Sequence, residues 1–268
     1  MNAEDAVSTG DLDAALADLQ QRVRSQPQNA RLRAFLFELL AVLGDWERAR
    51  RQLKVAAELN TEYRPLAIAY GAVVACEQAR GAIFSGHGRA SPTLLGEPQP
   101  WMASLVEALR AASPKQATQL RQQALQDARP TPGTIDGEPF ARFADADART
   151  GPMLEAIIEG RYFWVPLMRM AQIRIEPPAD LRDLVWACAR LTFDNGGTTF
   201  ALIPTRYPGS EAIDDAQVRL ARLTDWRAQP GGSPHGIGQR LFATDRDDYP
   251  LLDTREILFE HPSPATSQ

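Results

Sequence analysis

Acidic side chains are the first residues of this sequence that could carry out chemistry. Asp145 and Asp147 lie two positions apart, and Asp245, Asp247 and Asp248 form a second group much later in the chain. Carboxylates that converge in space can bind a divalent metal ion or act as an acid–base pair. One interpretation of this half is therefore a metal-dependent hydrolase. Aspartates in solvated loops are more common, so the spacing leaves both interpretations open.

Other residue types that support catalysis do not form motifs. The three histidines, His87, His235 and His261, are widely separated, and none belongs to an HExxH motif or a His/Cys pair. Gly209–Ser210 lacks the second glycine of a nucleophile elbow, and no GxxxxGK[ST] loop occurs. The sequence therefore predicts a protein that is not an enzyme and that has no cofactor or metal.

Composition and the positions of the cysteines limit the classes of binding partner and the cellular compartment that we expect for this protein. A formal net charge of -5 gives no general attraction for phosphate backbones or anionic lipid, so nucleic acid is not an expected partner. Cys76 and Cys188 lie far apart in apolar stretches, which is typical of buried free thiols. The sequence has no signal-peptide pattern and no apolar run of about 18 residues. We expect a cytoplasmic protein without membrane insertion.

A repeat near the N-terminus predicts the scaffold. Gly10–Asp11 and Gly44–Asp45 lie 34 residues apart, and the same offset relates Ala15 to Ala49. Each glycine would end one helix, each aspartate would cap the next, and the alanines would let neighbouring helices approach closely. This period is that of tetratricopeptide repeats, although a helical hairpin with a chance match is an alternative. Residues 1–129 are predicted to form a tetratricopeptide-like helical domain.

The pattern changes in the second half of the chain. Residues 130–137 are rich in proline and glycine and are predicted to be a linker. Residues 138–260 contain short runs of aromatic and β-branched residues, and Asn195–Gly197 between two runs predicts a hairpin turn. Residues 261–268 are predicted to be a polar tail. The expected fold class is α+β, with a tetratricopeptide-like α-helical array followed by a strand-rich C-terminal domain.

The first helix of the second repeat supplies one group of candidate partner contacts. In a tetratricopeptide unit that begins near Ala30, this helix turns four residues toward the concave side of the array, namely Arg31, Ala34, Glu38 and Ala41. A concave groove of this kind suits an amphipathic helix from a partner.

A polar turn in the second half supplies the other candidates. Arg206, Tyr207 and Glu211 combine a planar cation, a ring and a carboxylate directly after a predicted strand. Such a turn could bind a partner, or Arg206 and Glu211 could pair and hold the loop shut. Arg182, which lies between two aspartates close to a tryptophan, is expected to belong to a structural ion network.

Several longer stretches carry a resemblance to a known family. They include DGEPFARFADADARTGPMLEAIIEGRYFWVPL, PPADLRDLVWACARLTFDNGG, ALIPTRYPGSE and GIGQRLFATDRDDYPLLDTREI. These stretches closely resemble the ImpE/SciE/TagJ family of type VI secretion accessory proteins, and the helical opening of the chain also fits that family. The resemblance implies a non-catalytic cytoplasmic protein. It further implies association with the small subunit of the contractile sheath, through an N-terminal helix of that subunit, and with the ClpV-type unfoldase that recycles contracted sheath. A pure two-domain scaffold is the remaining alternative.

Overall fold

A computed structural model describes residues 2–86 and 90–261, and His87 lies outside these residues. The first half of the chain is helical. Its helices, with one short helix from the second half, are α1 Ala3–Thr9, α2 Leu12–Ser25, α3 Ala30–Val42, α4 Trp46–Leu59, α5 Arg64–Phe84, α6 Pro100–Ala108, α7 Pro114–Asp127 and α8 Ala216–Arg219. Among the described residues, no helix has the length and apolar character needed to cross a membrane.

The second half consists mainly of strands. The strands of the chain, of which β1 belongs to the first half and pairs with β6, are β1 Thr93–Leu94, β2 Gly133–Ile135, β3 Glu138–Phe140, β4 Phe143–Asp145, β5 Met153–Ile158, β6 Arg161–Pro166, β7 Met170–Ile175, β8 Trp186–Phe193, β9 Thr198–Pro204, β10 Thr224–Gln229, β11 Gly232–Gly238, β12 Leu241–Thr244, β13 Asp248–Pro250 and β14 Glu256–Phe259. Nine strands form one sheet in the order β1-β6-β5-β9-β8-β7-β14-β2-β3. The others form the hairpin β10-β11 and the sheet β13-β12-β4.

The two Gly-Asp pairs build the helical hairpins that the repeat predicts. Gly10 and Gly44 follow α1 and α3 with φ angles of +87° and +73°, a conformation that glycine adopts without strain. Asp11 and Asp45 then accept hydrogen bonds from backbone N–H groups in the first turns of α2 and α4. The predicted α+β fold class is confirmed, with the hairpins α1–α2 and α3–α4 followed by the long helix α5.

The hairpin predicted at Asn195–Gly197 is also confirmed. It joins β8 to β9, which pair antiparallel from Trp186 opposite Pro204 to Thr192 opposite Thr198. The Asn195 side chain accepts a hydrogen bond from the backbone N–H of Gly197, which stabilises the turn.

The predicted linker contains a strand. Gly133–Ile135 forms β2, which pairs with β14 and β3 inside the large sheet. A Cβ atom at Gly133 would lie 1.9 Å from the carbonyl oxygen of Leu258, so only glycine permits this close approach. Gly133, one of the prolines and glycines on which the linker prediction rests, therefore serves tight strand packing.

The two halves share a hydrophobic core. Leu39 of α3 and Val73 of α5 belong to the same cluster as Trp164 and Trp186 of the large sheet. A second cluster, on the other side of the sheet, packs β12 and β4 against it through residues such as Phe242. Since strand side chains alternate between faces, one sheet holds both cores. The helical array is therefore fixed against the sheet.

Candidate functional site: the concave face of the helical array

A groove of about 640 Å³ lies on the concave face of the array. We call it the concave groove. Its lining comes from α1, α2, α3, the start of α5 and residues 179–182 of the strand-rich half, and includes Arg31, Phe35, Leu66 and Arg182. Phe35 and Leu66 are half-buried, whereas Arg31 is exposed. The groove thus has apolar side chains on its walls and charged side chains at its rim.

The rim beside α1 carries charges of both signs. Glu4 and Arg22 face each other at 3.4 Å between a carboxylate oxygen and a guanidinium nitrogen. Glu4 is exposed and Arg22, which also pairs with Asp18 at 3.3 Å, is half-buried, so the Glu4–Arg22 pair contributes little to stability and can rearrange when a partner arrives. Charged groups at the rim of an interface affect the orientation of a partner more than its binding affinity.

Arg182 closes the other end of the concave groove. Its guanidinium contacts the Glu38 carboxylate at 2.5 Å, contacts Asp180, and lies 5.5 Å from the centre of the Tyr70 ring. Asp183 instead accepts hydrogen bonds from the backbone N–H groups of residues 179 and 180. The structural ion network expected around Arg182 is therefore confirmed, and it reaches across to α3.

Glu38 gives the groove a pH-dependent group. Burial raises the pKa of its carboxyl from 4.5 to about 7, although Arg182 opposes this shift. The folded state therefore keeps a proton that the unfolded state releases between pH 4.5 and about 7. The stability linked to protonated Glu38 is complete below pH 4.5 and is lost as the pH rises toward 7.

Glu38→Gln should remove this contribution. We expect the free energy of unfolding of the variant to fall less than that of the unmodified protein when the pH rises from about 4.5 to about 7. Urea denaturation at several pH values measures both curves. Parallel curves would show that Glu38 does not take up a proton on folding.

Arg206 lies inside the protein and not at its surface. Its side chain is 3% exposed and donates hydrogen bonds to the carbonyl oxygens of Val42 at 2.7 Å, Arg219 at 2.6 Å and Ala41 at 3.3 Å. Ala41 and Val42 are the last residues of α3, where helix carbonyls lack helical partners and favour a cation. Burial lowers the pKa of Arg206 to about 10. Arg206 therefore attaches the strand-rich half to the end of α3.

The predicted contacts at Tyr207 and Ala41 need the same correction. Tyr207 is 1% exposed, and its hydroxyl donates to the Asp145 carboxylate at 3.0 Å. Ala41 is fully buried because the segment around Arg206 covers that part of α3. The repeat spacing placed Ala41 toward the concave side, but the strand-rich half of the same chain covers it there, and Tyr207 of the predicted polar turn faces Asp145 inside the protein.

Glu211 packs on the turn between α3 and α4. A Cβ atom at Gly44 would lie 2.5 Å from Cγ of Glu211, and the Glu211 carbonyl accepts a hydrogen bond from Nε of Arg219 at 3.2 Å. Within residues 2–86 and 90–261, no ion pair joins Glu211 to Arg206. Arg222 donates to the carbonyls at the end of α1. Both Gly-Asp turns therefore lie against residues 210–222.

Three of the four residues predicted on α3 line the concave groove. Arg31, Ala34 and Glu38 do so together, but Ala34 and Glu38 are largely buried and only Arg31 is well exposed. Partner contact at Arg31 and at Glu211 remains a prediction. The open part of the concave face lies at the start of α3, next to Phe35 and Leu66.

The two aspartate groups do not come together. Asp145 pairs with Arg240, and Asp147 accepts hydrogen bonds from Nε and Nη2 of Arg149 at 2.9 and 2.6 Å. Asp245 accepts from the backbone N–H groups of residues 141 and 142. In the part of the chain that the structure describes, no group of three or more His, Cys, Asp or Glu residues could hold a metal ion. The aspartates therefore give no support to the hydrolase interpretation.

A buried ion cluster joins the halves, and sequence reasoning missed it. Glu155 is fully buried and contacts Arg80 of α5 at 2.6 Å, Arg240, and the Tyr162 hydroxyl at 2.5 Å. Burial would raise the pKa of Glu155, but Arg80 and Arg240 lower it to about 2. A lone charge within the apolar run MLEAII was the available signal.

An apolar surface between α5 and β9 was also missed. Ile68 is 79% exposed and Phe200 is 73% exposed, and both line a depression of about 480 Å³. We call this the α5–β9 surface. Of the two cysteines, Cys76 is buried and Cys188, in the same depression, is half-buried, and both are free thiols. Burial raises the pKa of both thiols, so they are poor nucleophiles.

Comparison with known proteins identifies the relatives of this chain. A tetratricopeptide repeat profile matches residues 6–68, and the profile of the ImpE protein family matches residues 137–258. The type VI secretion system accessory component TagJ of Pseudomonas aeruginosa is 47% identical over 263 residues, which cover 97% of this chain and 92% of that protein. The chain belongs to the ImpE family. The resemblance inferred from the sequence is thus confirmed.

A crystal structure shows the same fold in another protein. This chain matches the X-ray structure of protein VPA1032 from Vibrio parahaemolyticus with a TM-score of 0.88 and 26% sequence identity. The match covers 97% of this chain and 98% of that one. The helical array and the strand-rich half therefore have the same arrangement in both proteins.

Proposed function

We propose that this protein is an accessory component of a type VI secretion system that binds the N-terminal helix of the small sheath subunit. In this role it assists the interaction of that subunit with the ClpV-type unfoldase during sheath recycling. Family membership and a close relative among type VI accessory components support this proposal. The observation that carries the helix-binding step is the concave groove, which stays open at the start of α3.

The groove has the chemistry that an amphipathic helix needs. Half-buried Phe35 and Leu66 offer apolar contact, and exposed Arg31 lies at the rim. Helices dock in such grooves through apolar residues spaced three or four positions apart, while charges at the edge select the orientation. An extended strand would need a free sheet edge, and the concave groove is lined by helices and one short turn.

The strand-rich half contributes by making the groove rigid. Arg206 fixes the end of α3, and Arg182 connects Glu38 to the turn that closes the groove. A surface that is already ordered loses less conformational entropy when a partner binds. Rigid attachment of the second half therefore favours binding without requiring direct contact between that half and the helix.

Isothermal titration with a peptide that copies the sheath subunit's N-terminal helix tests the proposal. We expect micromolar or tighter binding, and Phe35→Gln should weaken it by about tenfold or more because an apolar anchor is lost. Phe200→Gln on the α5–β9 surface is the matched control and should bind normally. Circular dichroism verifies that both variants are folded.

Two results would contradict this proposal in different ways. Absence of binding by the unmodified protein at several temperatures would contradict the helix-binding function. Loss of binding in Phe200→Gln but not in Phe35→Gln would place the helix on the α5–β9 surface instead. Pull-down of the ClpV-type unfoldase, with and without the sheath subunit, tests the second step separately.

A further inference from the structure

A small polar cavity lies where α7 begins, next to the Asp147–Arg149 pair described above. Its volume is about 220 Å³, and its walls come from the end of α5, the start of α7 and the hairpin β10–β11. Gly232 lets the hairpin close on the helix, because a Cβ atom there would lie 2.9 Å from Cβ of Pro114. The backbone N–H of Ser233 donates to Oγ1 of Thr118 at 3.0 Å. The cavity is therefore held in shape by direct contacts.

Arg121 is the unusual residue of this cavity. It is 6% exposed and lines the cavity, yet its Nε has no hydrogen-bond partner within residues 2–86 and 90–261. Of the other buried arginines, Arg80, Arg149 and Arg240 contact carboxylates, and Arg206 donates hydrogen bonds to backbone carbonyls. Burial of the Arg121 guanidinium is costly because it removes water, and it lowers the pKa of Arg121 although the nearby charge of Asp147 opposes this shift.

The other ionisable groups of the cavity leave an excess of positive charge. Arg149 also lines it, but Asp147 already accepts hydrogen bonds from that guanidinium at 2.6 and 2.9 Å. Burial, followed by the charge of Arg149, lowers the pKa of His235 to about 4, so this ring is neutral near pH 7. One carboxylate therefore lies close to two guanidinium groups.

The start of α7 adds a second source of positive potential. This helix has 14 residues, with Ser113 as its N-cap and Pro114 as its first residue, and both line the cavity. Aligned peptide dipoles place partial positive charge at the N-terminus of a helix, where anions are favoured. The helix terminus and the unpartnered Arg121 thus act on the same space.

We propose that this cavity is a binding site for a small tetrahedral oxyanion, such as inorganic phosphate or sulfate, with Arg121 as its principal ligand. The anion accepts hydrogen bonds from the guanidinium and lies in the field of the α7 N-terminus. The volume suits an ion of this size and is too small for a nucleotide. The site is separate from the concave groove, so neither proposal depends on the other.

Titration of the intact protein with sodium phosphate tests the proposal directly. With ¹⁵N-labelled arginine, the Nε–H signal of Arg121 should move in a saturable way, whereas sodium chloride at equal ionic strength should not move it. Sodium sulfate should act like phosphate. Sodium acetate distinguishes a carboxylate site from a tetrahedral one, and equal responses to acetate and phosphate would overturn the assignment of ligand class.

Variants in which glutamine replaces an arginine, and so removes its positive charge, provide the second measurement. Arg121→Gln should weaken phosphate binding, followed as the rise in melting temperature with phosphate concentration, by at least about tenfold. Arg129→Gln is the matched control, since it removes an exposed arginine just beyond the same helix. An unchanged phosphate response in Arg121→Gln, or an Arg121 signal in the unmodified protein that phosphate does not move, would overturn the proposal. The Arg121 signal of the unmodified protein remains decisive even if Arg121→Gln does not fold.

Discussion

Glu155→Gln is expected to lower the free energy of unfolding by about 3–5 kcal/mol, because it removes one partner from a buried ion cluster. The Glu155 side chain is completely buried, and it accepts hydrogen bonds from Arg80 at 2.6 and 3.1 Å, from Arg240, and from the hydroxyl of Tyr162. Its low pKa means that the lost group is a charge. The buried guanidinium groups of Arg80 and Arg240 would then have less negative charge beside them. The folded state would therefore become less stable relative to the unfolded state.

The variant should also weaken the junction between the two halves. Arg80 belongs to α5, whereas Glu155 and Arg240 belong to the strand-rich half. Urea denaturation followed by tryptophan fluorescence measures the change, since Trp164 and Trp186 are buried in the core that the halves share. Glu256→Gln is the matched control, because its carboxylate pairs with Arg174 at an exposed position. If both variants unfold at the same urea concentration, the cluster does not hold the halves together.

Arg206→Met is expected to lower the free energy of unfolding by about 2–4 kcal/mol, because it leaves buried carbonyl oxygens without donors. Methionine retains much of the side-chain volume, so the main loss is the hydrogen bonds to Val42 and Arg219. The α3 helix also loses the cation at its C-terminal end. This result would separate a structural role of Arg206 from a role in partner contact.

Chemical denaturation and peptide titration together check the Arg206 prediction. Arg190→Met is the control, since Arg190 is exposed and its guanidinium lies 5.0 Å from the centre of the exposed Phe200 ring. We expect Arg190→Met to unfold almost like the unmodified protein. A stable Arg206→Met variant that fails to bind the sheath peptide would contradict the structural assignment and restore Arg206 as a contact residue.

The candidate site could be predicted only in part, and α3 illustrates why. The repeat register placed Arg31, Ala34 and Glu38 on one face, and all three do line the concave groove. The register could not show that Ala41, on the same face, is covered by a segment more than a hundred residues later in the chain. Helical periodicity describes which residues share a face, whereas the contacts of that face depend on long-range packing.

The turn at Arg206 shows a different error, in which residues predicted to contact a partner at the surface are buried. A cation, a ring and a carboxylate close together in sequence have the composition of a binding loop. Arg206 and Tyr207 are nevertheless buried, because the C-terminal end of α3 and the carboxylate of Asp145 supply partners that offset the cost of burial. Charged side chains are rarely buried without such partners, and sequence alone does not show where the partners lie.

The sequence by itself determined the local structure and the family. Glycine and aspartate specify helix ends through backbone conformation and capping, so the hairpins were predictable from Gly10–Asp11 and Gly44–Asp45. Only the tertiary structure decided that the strand-rich half fills much of the concave face, that Asp145 and Asp147 pair with arginines, and that Nε of Arg121 has no hydrogen-bond partner among the described residues. These features arise from contacts between residues distant in sequence, and their energies depend on burial and charge in three dimensions.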